Sequence, residues 1–119
     1  MDIFGKIKAW KEYYVIMQVK KINLPPFPST ERKRYRIIFR GRVQKVGFRL
    51  TVLELAKRLH LTGFCKNLET GEVLAELQGE NNRIAYLVSY MESLKRIKIK
   101  DKIVQELELN RSETGFVKQ

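Results

Sequence analysis

The feature that most constrains the fold is the spacing of apolar residues along 35–109, which switches several times between two patterns. Segments with an apolar residue at every second position, the period of a strand, alternate with segments that have apolar residues every three or four positions, the period of a helix. Strands are predicted at 35–43, 63–67, 72–78 and 102–109, and helices at 48–59 and 84–94. A short apolar tail at 115–117 is expected to pair at a sheet edge.

The order of these elements, β-α-β-β-α-β, predicts an α+β protein with a ferredoxin-like fold. Two right-handed split β-α-β units of this order form an antiparallel sheet with both helices on one face. The first 34 residues lie outside this pattern. Three prolines fall within residues 25–28 and block both a helix and a central strand there. We therefore predict an N-terminal extension at 1–34 and a folded domain at 35–119, with residues 31–34, a net basic stretch, in a solvated loop.

The extension is predicted to contain an amphipathic helix within residues 1–23. Apolar side chains recur there at spacings of 4, 3, 4 and 3, which places them on one helix face: Ile3, Ile7, Trp10, Tyr14 and Met17. A β-favouring run at 13–16 also allows a short strand. Three uses of this basic segment compete. It packs on the main domain or on a second copy of the chain, which we favour; it lies on a membrane surface; or it is partly disordered.

The charge of the chain favours anionic partners. A net charge of +11 suits phosphate-bearing metabolites, nucleic acid or an acidic membrane surface, although excess charge also serves solubility. One cysteine and one histidine cannot supply a four-ligand zinc site or an internal disulfide. The single cysteine, with neither a secretory signal nor an apolar run long enough to cross a bilayer, predicts a cytoplasmic protein without a membrane span.

A strand, a tight turn and a helix N-terminus meet at residues 39–49. The first N–H groups of a helix have no internal partner and carry partial positive charge, so this junction is suited to phosphate. Arg49 would add a planar, permanently charged fork that grips two phosphate oxygens. The alternative is that Gly47 only makes the turn and that Arg49 is a solvated residue of the first helical turn.

Several motifs in this chain resemble those of acylphosphatases, in the same order. Residues 41–49, Gly-Arg-Val-Gln-Lys-Val-Gly-Phe-Arg, closely resemble the family's phosphate-binding signature G-R-V-Q-G-V-x-F-R. Residues 61–67 resemble its L-x-G-W-V-x-N strand, residues 69–73 its D-G-x-V hairpin, and residues 78–79 its Q-G ending. The resemblance runs from about Tyr35 to Phe116.

The resemblance implies a hydrolase that cleaves acyl phosphates into carboxylate and inorganic phosphate without a metal or cofactor. Because the carboxylate leaves readily, positioning and charge stabilisation suffice for this reaction. By their places in the motifs, Arg49 binds the substrate phosphate and Asn67 positions the attacking water, although Asn67 alone would also suit a turn. The implied phosphate cradle consists of the backbone N–H groups of Gln44, Lys45, Val46, Gly47, Phe48 and Arg49.

Three residues depart from the family pattern. Lys45 stands in place of a loop glycine; it costs about 1 kcal/mol or more if that position requires a positive φ, and otherwise it adds charge beside the phosphate. Phe64 replaces a tryptophan and can still pack as an aromatic residue. Cys65 replaces a valine and is predicted to be a small buried hydrophobe.

His60 is predicted to end a helix rather than act as a catalytic base.

Two binding functions remain as alternatives to the enzyme. RNA-recognition modules share this element order and stack bases on aromatic residues of their central strands. The predicted strand at 72–78 has no aromatic residue and carries two acids, which argues against nucleic acid. The other alternative is a non-catalytic regulatory domain of the same family, with the N-terminal segment as its docking element.

Overall fold

The computed structural model describes residues 3–119. Three helices and five strands follow one another along the chain in this order: α1 (Ile3–Lys20), β1 (Arg32–Arg42), α2 (Phe48–Arg58), β2 (Thr62–Asn67), β3 (Val73–Glu80), α3 (Asn81–Ser93), β4 (Lys98–Leu107) and β5 (Phe116–Lys118). The elements β1, α2, β2, β3, α3 and β4 confirm the predicted β-α-β-β-α-β order. The last long strand starts four residues earlier than predicted, at Lys98.

The strands form one sheet in the order β4-β1-β3-β2-β5. The first four strands are antiparallel, as predicted, and β5 adds the expected edge pairing, parallel to β2 with Phe116 opposite Gly63. Since β4 and β5 lie at opposite edges, residues 108–115 cross the sheet to connect them. This α+β architecture confirms the predicted fold class.

The hydrophobic core lies between the sheet and the helices α2 and α3. Alternation along β1 directs Ile37 and Phe39 toward these helices, and α2 and α3 meet them with residues at helical spacing. The core side chains of the two helices are almost completely buried: Val52, Leu55, Ala56, Ile84, Leu87 and Met91. Full burial of a large apolar side chain contributes about 1.5–3 kcal/mol, so this layer supplies most of the stabilisation.

The opposite face of the sheet carries a buried ion-pair cluster around Arg34. The Arg34 guanidinium donates to Glu76 at 2.8 Å and to Glu113 at 2.7 Å, and only 5% of the residue is exposed. The prediction of a solvated loop at 31–34 is therefore wrong. Residues 32–34 belong to β1, and the crossing segment brings Glu113 over the sheet to cover Arg34.

Helix α1 docks on the domain, but not through the face that the sequence indicated. Val15 and Val19 are its buried residues, at 6% and 1% exposed. The predicted apolar face is largely open in the single chain, with Trp10 74% and Tyr14 63% exposed, so the helix packs on its own domain through other residues. The β-branched valines fit against the end of the 43–47 loop and α2. The strand alternative at 13–16 is wrong, because those residues are helical.

Hydrogen bonds fix the end of α1, and an aromatic contact fixes the linker that follows it. Arg58 of α2 donates to the carbonyl oxygens of Val19 at 2.9 Å and Ile22 at 2.6 Å, which satisfies groups left open at the helix end. In the linker, Phe27 packs edge-on against Tyr86 of α3, with ring centroids 5.5 Å apart. The extension at 1–34 thus contacts both α2 and α3 along its described length.

No helix in residues 3–119 has the length and apolar character needed to span a membrane.

Candidate active site

The loop of residues 43–47 joins the end of β1 to the start of α2. Two of its residues are in the left-handed region, Lys45 with φ 62° and Gly47 with φ 76°. Gly47 is the N-cap of α2; it makes no side-chain cap hydrogen bond, and the first turn holds no acidic residue. Left-handed residues in such a turn let successive N–H groups converge, and the helix end adds partial positive charge. This geometry is suited to an anion.

Side chains at both ends hold the loop in place. Val43 and Phe48 are buried, and the Phe48 ring lies 5.0 Å from that of Phe39 in β1. The Gln44 amide donates to the carbonyl oxygens of Leu68 at 2.8 Å and Glu72 at 2.9 Å. Gln44 thus ties the loop to the turn between β2 and β3, directly after Asn67.

Arg96 supports the loop from the other side, a contact that no sequence pattern indicated. Its Nε donates to the carbonyl oxygen of Val46 at 2.9 Å, and its Nη2 donates to the hydroxyl of Thr51 at 2.7 Å. Its Nη1 donates to the Gln18 side chain of α1 at 2.6 Å. Arg96 thus joins the loop, α2 and α1 through one guanidinium. No local pattern marks it, because its partners lie 45–78 residues away along the chain.

One cavity of about 900 Å³ brings most of the predicted site residues together. Arg49 and Asn67 line it, and Arg49 is half-buried while Asn67 is exposed at the end of β2. Arg49 Nη1 donates to the backbone oxygen of Gln119 at 2.7 Å. The loop residues that line the cavity with them are Val43, Lys45, Val46, Gly47 and Phe48. Gln44 does not line it, since its side chain is turned to the β2–β3 hairpin.

The only thiol and the only imidazole of the chain are not placed for catalysis. Cys65 is completely buried, as predicted, and burial raises the pKa of its thiol to about 12, against the opposing charge of Arg49. The thiol therefore stays protonated at neutral pH and is a poor nucleophile. His60 ends α2 in a left-handed conformation with φ 58°, and its N–H donates to the Lys57 carbonyl oxygen. The prediction that His60 ends a helix is confirmed.

The left-handed conformation of Lys45 leads to a stability prediction. Because a side chain at φ 62° is strained, we expect Lys45→Gly to raise the free energy of unfolding by about 0.5–1 kcal/mol, after the greater flexibility of glycine in the unfolded chain is subtracted. Urea unfolding measures this change. Lys45→Ala removes the same charge but keeps the strain, so it should bring no such gain. Equal stability of the two variants would contradict the explanation.

The fold and the loop define a class: an α+β sandwich with an arginine-lined cavity at a strand–loop–helix junction. The sequence profile of the acylphosphatase family matches residues 35–118. An acylphosphatase of Clostridium beijerinckii is 50% identical over 56 residues, which span 47% of this chain and 62% of that protein. An acylphosphatase of Picrophilus torridus is 34% identical over 73 residues, which span 61% of this chain and 90% of that protein.

A solved structure extends the similarity to three dimensions. The crystal structure of acylphosphatase from Bacillus subtilis matches with a TM-score of 0.68 and 32% identity, over 73% of this chain and 98% of that one. The chain belongs to the acylphosphatase family, a family of hydrolases, as its motifs predicted. The match begins at residue 35, so α1 and the linker lie outside it.

Proposed function

We propose that this chain is an acylphosphatase, which hydrolyses the carboxyl-phosphate bond of acyl phosphates to a carboxylate and inorganic phosphate. The observation that carries the proposal is that residues of the 43–47 loop line the same cavity as Arg49 and Asn67. Family membership supports the same activity. The cytoplasmic location stays a prediction from the sequence.

In the proposed mechanism the loop and Arg49 bind the phosphoryl group. Backbone N–H groups of residues 44–49 donate to its oxygens, and the α2 N-terminus adds favourable electrostatic potential. Arg49 has five N–H groups, so its bond to Gln119 leaves donors for a bidentate contact with phosphate. These donors are fixed before the substrate arrives, and they stabilise the charge that spreads over the phosphoryl oxygens in the transition state.

Asn67 is proposed to hold the water opposite the leaving group. The water oxygen bonds to phosphorus while the bond from phosphorus to the acyl oxygen breaks, and the carboxylate departs with the electron pair. One water proton remains on the phosphate formed, and the other passes to solvent. A carboxylate is a stable leaving group, so orienting the water supplies the main remaining contribution.

RNA binding is less well supported than acyl phosphate hydrolysis. The outer face of the central strands, where such modules present aromatic rings, carries the Arg34 cluster, and Arg36 also pairs with Glu76 at 2.9 Å. Residues 108–115 cross the sheet on this side. A single strand would have to displace these ion pairs before any base could stack.

Hydrolysis of benzoyl phosphate, with chelator present, tests the proposal. We expect turnover well above the spontaneous rate, and Asn67→Ala should lower kcat about 100-fold with little change in KM, because the water loses its orientation. Asn81→Ala makes the same chemical change on an exposed asparagine outside this cavity and should leave kcat unchanged. A folded wild-type protein that gives only the spontaneous rate would disprove the proposed activity.

A further inference from the structure

Helix α1 forms one wall of the cavity that contains the phosphate loop. Its contact with the loop is close: a Cβ added at Gly47 would lie 3.2 Å from Cγ2 of Val15. Gln18 accepts from Arg96, which also binds the Val46 carbonyl oxygen, so helix and loop share one brace. The C-terminal end of α1 is held by Arg58. These contacts place the preceding turns of α1 beside the cavity.

The wall that α1 contributes is mainly apolar and open. Phe4, Ile7, Trp10 and Tyr14 all line the cavity. They remain 85%, 42%, 74% and 63% exposed, respectively. A contiguous set of large exposed apolar side chains marks a binding surface more often than a solvated one. Across the cavity stand the polar groups of the loop, Arg49 and Asn67, so the two sides differ in chemistry.

This two-sided character matches the two halves of an acyl phosphate. The acyl carbon is joined to phosphorus through a single oxygen, so a phosphate held by the loop fixes the acyl group within a few ångströms of it. A cavity of about 900 Å³ lies near the upper end of the volumes that hold small-molecule ligands, about 300–1,000 Å³, and far exceeds what acetyl phosphate fills. Lys8 and Lys11 also line the cavity and favour an anionic ligand.

We propose that Ile7, Trp10 and Tyr14 of α1 form the acyl-group subsite, and that the preferred substrates carry a bulky apolar acyl group, aromatic rather than acetyl. This inference rests on the proposed acylphosphatase function and deepens it. The subsite belongs to the extension rather than to the 35–118 domain that the family shares. A second copy docked on the same face of α1 would cover these residues and obstruct the cavity, so self-association through residues 1–23 is the competing use.

The ratio of two substrates tests the subsite. We expect Trp10→Ala to lower kcat/KM about tenfold for benzoyl phosphate and less than twofold for acetyl phosphate, because only the larger acyl group reaches the indole. Tyr13→Ala is the matched control: Tyr13 is an aromatic residue of α1 that is 60% exposed and does not line the cavity. It should change neither rate.

The outcomes separate the two proposals. Wild-type protein that hydrolyses neither substrate overturns the acylphosphatase function. Wild-type protein that hydrolyses both, with an unchanged ratio in Trp10→Ala, overturns only the acyl subsite. Sedimentation velocity on the same proteins shows whether the helix face is used otherwise: a dimer that becomes a monomer in Trp10→Ala assigns the face to a second copy and also overturns the subsite.

The fluorescence of Trp10 gives a readout that does not depend on turnover. Trp10 is the only tryptophan of the chain, so its emission reports this wall alone. Benzoylphosphonate, which cannot be hydrolysed as an acyl phosphate, should change the emission saturably, while acetylphosphonate and inorganic phosphate should not. No response to benzoylphosphonate, or equal responses to all three, would contradict the subsite.

Discussion

Arg49→Ala is expected to lower kcat/KM for benzoyl phosphate about 1,000-fold, which corresponds to about 4 kcal/mol of transition-state stabilisation. Two arginines line the cavity in the part of the chain that the structure describes, Arg49 and Arg96. Arg96 donates to Val46, Gln18 and Thr51, so its guanidinium is committed to the scaffold. Arg49 is therefore the guanidinium that is available to the phosphoryl oxygens.

Two further variants separate charge from geometry at this position. Arg49→Lys keeps the positive charge but loses the planar fork, so we expect an intermediate loss of activity. Arg111→Ala, a change of an exposed arginine outside the cavity, is the control and should retain full activity. Inhibition by inorganic phosphate should weaken in Arg49→Ala as well. An Arg49→Ala protein within tenfold of wild type, with unchanged phosphate inhibition, would refute the assigned role.

Arg34→Met is expected to lower the free energy of unfolding by about 3–5 kcal/mol, the largest stability effect that we predict. The change removes the partner of Glu113 and one of the two arginines that bind Glu76, and so leaves buried carboxylate without compensation. Arg40→Met is the matched control on the same strand. Arg40 pairs with Glu72, but 51% of its side chain is exposed, so solvent screens the pair and its loss should cost far less stability than the loss of Arg34. Equal losses in the two variants would disprove the importance of burial here.

The effect of Arg34→Met should also depend on pH. Burial raises the pKa of the Glu76 carboxyl, but hydrogen bonds from Arg34 and Arg36 outweigh it and hold that pKa below its usual value. A depressed folded-state pKa means that the carboxylate contributes stability above the unfolded-state pKa and loses it as the pH falls through the folded-state value. Urea unfolding should therefore show a smaller difference between wild type and Arg34→Met below about pH 4 than at pH 7.

Local patterns in the sequence were sufficient to predict the central elements of the fold. Each pattern reflects one buried face: strand alternation marks Ile37 and Phe39, and helical spacing marks Val52 and Leu87. The structure buries all four residues. The motif at 41–49 placed the loop at the strand-to-helix junction, and the structure brings its residues, apart from the Gln44 side chain, into one cavity with Asn67. The catalytic roles of Arg49 and Asn67 stay predictions.

The errors concern residues whose surroundings come from distant parts of the chain. Helix α1 has apolar residues around much of its circumference, including Tyr13, Val15 and Val19, so periodicity alone did not select the docking face. Arg34 reads as one more basic residue among 32–34, and only the crossing segment with Glu113 buries it. Arg96 lies in a lysine-rich stretch. It makes its three hydrogen bonds only because α1, α2 and the loop meet at one point. None of these arrangements leaves a signal in neighbouring residues.

The brace at Arg96 couples the extension to the loop in a thermodynamic sense. One guanidinium satisfies Gln18 on α1 and the Val46 carbonyl oxygen in the loop, so undocking the helix removes part of the support that shapes the loop. Such a coupling free energy is reciprocal: a ligand that favours the braced loop must strengthen helix docking by the same factor by which docking strengthens its binding. For a substrate that binds the loop as proposed, affinity and the docked population of α1 would form one linked equilibrium, so a substitution that weakens either one would weaken the other.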